Sequence, residues 1–143
     1  MFRWISLAAG LAAAASAAPV PPVDEFADLQ RQIRESPTWD RARLEREVLR
    51  REALILDTDR TPADIAWRRT RALLEDLRAM PGAPDLAAQA SSLEDLRPEV
   101  EAQRAAAGAP PETEQRALFD RIVRLRHDIA FRNPLLDFDS LLF

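Results

Sequence analysis

The chain has 143 residues, enough for one small domain, and contains 3 Gly, 11 Pro, no Cys and no Tyr. Without Cys, the residues present cannot form disulfides, zinc-thiolate sites, thiol nucleophiles, covalent c-type haem attachments or a lipoprotein anchor. The formal charge is −4 with acids and arginines interleaved, which argues against the clustered basic footprint of a nucleic-acid binder, so no nucleic-acid partner is expected.

Residues 1–17 read as a secretory signal. Arg3 supplies the positive start, positions 5–15 are apolar, and Ala15-Ser16-Ala17 gives the small-x-small cleavage pattern, with the cut after Ala17. The apolar stretch is shorter than the roughly 20 residues a spanning helix needs. The mature protein is therefore expected to be periplasmic or extracellular, with no stable membrane span after cleavage. Residues 18–23 form a stiff Pro-rich leader, and residues 24–132 a helical region.

Richness in Ala, Leu, Arg and Glu favours helix. Asp24 suits the cap of a short helix carrying Phe26, Leu29 and Ile33 on one side. Ser36-Pro37 is expected to restart the chain, with Ser as cap and Pro at the first helical position. The spacing then predicts a helix over 37–56 with two apolar stripes. Trp39, Ala42, Leu49, Ala53 and Leu56 make one; Leu44, Val48 and Ile55 make the other. Two stripes imply two neighbours and a central position.

Thr61-Pro62-Ala63-Asp64 is a capping box with Pro at the first position. The helix it opens runs to about Met80 with a continuous stripe of Ala63, Ala66, Trp67, Thr70, Leu73, Leu74, Leu77 and Met80, and Pro81-Gly82 ends it. A helix over 84–107 presents Leu86, Ala90, Leu93, Leu96 and Val100. Pro98 is expected to kink or split it, with Ser92 capping the second half. After the 108–111 linker, the last helix spans about 112–132. Leu118, Ile122, Leu125 and Ile129 form one row, and Phe119, Val123 and Ala130 a second beside it. Asp120, Arg124, Asp128 and Arg132 lie opposite. Asn133-Pro134 stops this helix.

The fold class expected is all-α, with four to five helices in a loose bundle or as helical hairpins. An extended apolar tail over 133–143 is expected to follow as the start of a further domain.

No Ser-His-Asp order, phosphate loop or nucleotide fingerprint is present, so no catalytic residue, metal ligand or cofactor is expected and the chain is not read as an enzyme. His127 is the only His and cannot build a metal site alone. Asp57-x-Asp59 and Asp137-x-Asp139 read as turn and cap acids rather than calcium ligands, with Asp137 accepting from nearby backbone. Trp39 and Trp67 read as core. Arg126 falls between the two apolar rows of the last helix. Snorkelling is its expected solution, ahead of pairing with an acid on another element or on a further domain.

The phrase Ile129-Ala130-Phe131-Arg132-Asn133-Pro134-Leu135-Leu136-Asp137-Phe138-Asp139-x-Leu141-Leu142-Phe143 resembles a segment of secreted bacterial proteins related to the hydrazine synthase alpha subunit. In those proteins a helical N-terminal region leads through such a phrase into a β-propeller, often followed by a c-type haem domain. The likeness covers the last fifteen to twenty residues; the haem and catalytic positions of the family have no counterparts here. The resemblance implies a non-catalytic helical N-terminal region that packs against or spaces a propeller-like domain beyond Phe143. The expected partner-docking residues are Arg126, Leu136, Phe138, Leu141, Leu142 and Phe143. The alternative is a freestanding secreted helical binding module whose apolar tail docks into a protein partner.

Overall fold

The structure is a computed structural model that describes residues 23–136. In chain order it contains α1 (Glu25–Glu35), a 3₁₀ turn (Ser36–Thr38), α2 (Arg41–Glu47), a second 3₁₀ turn (Arg51–Ala53), α3 (Pro62–Ala79), α4 (Ala87–Ala105), α5 (Glu112–Phe131) and a last 3₁₀ turn (Pro134–Leu136). Among the described residues there is no strand, and the all-α expectation is met.

The three long helices make the body. α3 lies against α5, and α4 closes the third side by touching both. Two clusters run along this bundle. The first joins Phe26, Leu29, Ile55, Ala63, Ile65, Ala66, Leu96, Val100, Leu118, Phe119 and Ile122. The second joins Leu74, Leu77, Leu86, Leu93 and Ile129. Trp67 and Leu125 pack against both and make the core continuous. Trp67 also donates its indole N–H to the Leu93 carbonyl at 3.0 Å, which gives its one polar atom a partner.

Local chemistry sets the helix ends. Asp24 caps α1 by accepting from the Ala27 amide at 3.3 Å. Thr61 and Asp64 form the anticipated capping box of α3. α3 ends at Pro81-Gly82, where Gly82 has φ +72, a conformation that a side chain disfavours. α5 ends as its sequence requires, with the Asn133 amide reaching back to the Ala130 carbonyl at 3.1 Å.

Four expectations are corrected. Ser36 does not cap a new helix. Its hydroxyl donates back to the Ile33 carbonyl at 3.0 Å, closing α1, while Asp40 caps α2 by accepting from the Arg43 amide at 3.1 Å. The helix over 37–56 is reduced to the seven residues of α2, and it is peripheral rather than central. Residues 48–50 are extended at both ends (Val48 φ −87, ψ 127; Arg50 φ −140, ψ 129). Of its two expected stripes only Ile55 is buried, and Leu49 is fully exposed. The local preference for helix loses to α3, whose arginines take the carbonyls of residues 52–54 and so hold the chain where Ile55 can enter the core.

α4 is not split at Pro98, and Ser92 caps nothing. The helix is continuous, with Pro98 on its exposed face, and Asp85 accepts from the Ala87 amide at 3.0 Å near its start. Finally, the described part of the tail is not extended. Residues 134–136 make a 3₁₀ turn in which the Asn133 side-chain oxygen accepts from the Leu135 amide at 3.0 Å, and the Asn133 carbonyl from the Leu136 amide at 2.9 Å. Asn133 offers the backbone both acceptors locally, so turning costs less than extending.

Candidate functional site

Among the described residues, three of the five exposed large apolar side chains lie at the end of α5 and in the turn after it. Ile129 is fully buried in the second cluster, whereas Phe131, Leu135 and Leu136 are 79 %, 68 % and 45 % exposed. Phe131 was not among the residues singled out by helical rows. It falls between Asp120 and Arg124 on the charged face, and an aromatic among charges on a solvent face is the signal that would have found it. Of the expected docking residues, Leu136 lies in this patch. Phe138, Leu141, Leu142 and Phe143 lie outside the described residues, as does the Asp137-x-Asp139 pair.

Arg126 is not part of that patch and does not snorkel. It sits five residues before Phe131 and is turned to α1. Its Nη1 and Nη2 donate to Glu25 Oε1 and Oε2 at 2.9 and 2.6 Å, a bidentate fork-to-fork pair. The Arg126 side chain is 20 % exposed. The hydrogen bonds from Arg126, and its charge, hold the Glu25 carboxyl below the ordinary Glu range against the opposing effect of burial. Beside it, Arg116 donates to both oxygens of Asp24 at 3.3 and 2.9 Å and lies 4.5 Å over the ring of Phe26. Phe26 in turn meets Phe119 edge to face at 5.4 Å. These contacts seat α1 on α5.

A second set of paired charges lies between α3 and residues 50–59. Arg68 donates to the carbonyls of Glu52 and Leu54, each at 2.8 Å, and to Asp59 Oδ2 at 2.7 Å. Arg69 donates to the carbonyls of Glu52 and Ala53 at 3.3 and 2.6 Å. Burial, followed by the charge of Arg68, lowers the pKa of Arg69. Asp59 is buried and accepts from the Leu56 amide at 2.7 Å, so it serves the turn, as its sequence context implied. Asp57 is exposed and pairs with Arg41. His127 is exposed, and Trp39 borders the first core cluster.

The most buried acid among the described residues is Asp64. It is fully covered, and it accepts from the Arg60 and Thr61 amides at 2.9 and 3.0 Å and from Arg104 Nε at 2.8 Å. Sequence spacing marked it as a cap and gave no sign of the arginine forty residues away. Each of these acids already serves a helix end, a turn or an ion pair. Among the described residues, no group of three or more His, Cys, Asp or Glu side chains is placed to hold a metal ion. No helix among them is long and apolar enough to cross a membrane.

No family model, no curated protein and no solved structure matches the chain. Past Ile129, the described residues give a helix end, a 3₁₀ turn and the exposed side chains of Phe131, Leu135 and Leu136.

Proposed function

We propose that the chain is the non-catalytic helical N-terminal region of a larger secreted propeller-type protein related to the hydrazine synthase alpha subunit. Its role is to pack against or space the domain that follows. The observation that carries the reading is that Phe131, Leu135 and Leu136 are all exposed within a few residues after the buried Ile129. Apolar surface of this kind, at the point where the chain leaves a bundle, is a place for another surface to sit. The small-x-small pattern at Ala15-Ser16-Ala17 supports export to the periplasm or beyond.

The test is the coding frame beyond codon 143. An in-frame continuation into several short strand-rich repeats supports the reading. A stop codon followed by an unrelated gene turns it to the freestanding secreted binding module, which would use the same exposed residues for a separate partner.

A further inference from the structure

Residues 48–53 form a strap beside α3, held at its C-terminal end by hydrogen bonds from α3 to the Glu52, Ala53 and Leu54 carbonyls and otherwise by the Arg50–Asp76 pair. Arg50, Arg51, Glu52 and Ala53 are exposed, and Leu49 is wholly in solvent. The next buried side chain is Ile55. Arg68 and Arg69 grip the carbonyls of residues 52–54 from below. Arg50 pairs with Asp76 on the surface, where an ion pair contributes little. Open grooves flank the strap on both sides, one lined by Arg51, Glu52, Trp67 and Arg71, the other by Arg50, Ala53, Leu73 and Asp76. Segments with few buried apolar contacts open at low free-energy cost.

We infer that this strap is a processing site for an endopeptidase of trypsin-type specificity, which cuts the Arg50–Arg51 bond and leaves a two-chain molecule that stays assembled. Such an enzyme carries a carboxylate in its specificity pocket and so takes Arg. Its substrates need an accessible backbone that can be drawn out straight, and here the Arg50 and Arg51 carbonyls accept only from the turn amides of Ala53 and Leu54, each at 3.1 Å, so a single exposed 3₁₀ turn must open for the cut. Val48 and Arg50 are already extended, and among the described residues the amides of Leu49, Arg50 and Arg51 make no hydrogen bond. Hydrolysis breaks the C–N bond between Arg50 and Arg51. The oxygen of water ends in the new Arg50 carboxylate, and its two hydrogens end on the Arg51 amine, which becomes an ammonium.

The other described arginines are poor competitors. Most lie inside helices, where the backbone is hydrogen-bonded. Arg60 lies outside one, but its amide and that of Thr61 are both tied to Asp64, and the buried Pro62 follows. Arg132 is in helical geometry (φ −87, ψ 4) with its amide bonded back into α5. After the cut, α1 stays seated through Phe26, Leu29 and the Glu25–Arg126 pair.

The experiment is limited digestion of the mature chain with substoichiometric trypsin, read by intact-mass spectrometry and size-exclusion chromatography. The expected result is a first cut after Arg50 and co-elution of the two products. Arg51→Pro is compatible with the extended Arg50 before it and sacrifices no amide hydrogen bond. It should slow the first cut on the order of tenfold or more, while far-UV circular dichroism stays unchanged. If that variant misfolds, the double variant Arg50→Gln/Arg51→Gln removes the recognised side chains without touching the backbone, and the same slowing is expected. A first cut at an arginine outside positions 50 and 51, an unchanged rate in the folded variants, or separation of the nicked products would overturn the inference.

Discussion

Glu25 and Arg126 meet face to face, both carboxylate oxygens on both guanidinium Nη atoms, and so join the first turn of α1 to the last third of α5 across 101 residues of sequence. Because Arg126 holds Glu25 below its ordinary value of 4.5, the folded state binds its proton more weakly than the unfolded state does. The pair's stabilisation is therefore fully present above that ordinary value and is lost as pH falls through the lower folded value. With Glu25 39 % and Arg126 20 % exposed, solvent screening limits the coupling to about 1 kcal/mol. Urea denaturation of wild type and Glu25→Gln should show that difference at pH 7 and a much smaller one near pH 3. A difference that stays constant between the two would mean that the carboxylate does not act through its charge.

Asp64 is where the bundle is most vulnerable to a single polar change. Its carboxylate accepts from two backbone amides and from Arg104 while being fully buried. Asp64→Ala leaves both amides without their acceptor and frees Arg104, whose side chain is 42 % exposed and can turn to water, and should cost about 2 kcal/mol in chemical denaturation. Arg104→Ala should cost less, about 1 kcal/mol, because two amide donors still face the carboxylate. Thr61→Ala removes one cap acceptor and belongs near the same lower figure. Equal losses for Asp64→Ala and Thr61→Ala would show that Asp64 acts only as a cap.

The long helices were legible because their signals are local. The capping box at Thr61, the turn at Gly82 and the apolar row of Leu118, Ile122, Leu125 and Ile129 each lie within a few residues of what they determine. Residues 48–56 were not legible, because the groups that bend them, Arg68 and Arg69, lie on α3 more than a dozen residues away. The same distance hid the partner of Arg126. Its position between two apolar rows showed that it needed a solution and not which one, and an acid on α1 is invisible to helical periodicity. In the candidate site, Leu136 was found by its place in an apolar run, while Phe131 was passed over because row-based reading looks for apolar residues on the apolar face.

Pro98 lies inside a helix that runs unbroken from Ala87 to Ala105, with its ring exposed. It supplies no amide to the carbonyl four residues back and crowds the preceding turn, while nothing buried depends on it. Pro98→Ala should therefore stabilise the protein, by about 1 to 3 kcal/mol. Thermal melts monitored at 222 nm read the change directly. A destabilised variant would show instead that the proline's bend is what brings Leu96 and Val100 onto α5.

The residues around the end of α5 separate folding from docking. Ile129 is fully buried, so Ile129→Ala should cost about 2 to 5 kcal/mol. Leu135 and Leu136 are 68 % and 45 % exposed, so Leu135→Ser and Leu136→Ser should each change stability by no more than about 0.5 kcal/mol. Phe131→Ser belongs with them, since its ring is 79 % exposed on the charged face of the helix. Urea midpoints for the four variants test this division. If the serine variants prove as costly as Ile129→Ala, the patch is already covered by the chain itself and cannot be the surface on which a following domain or partner rests.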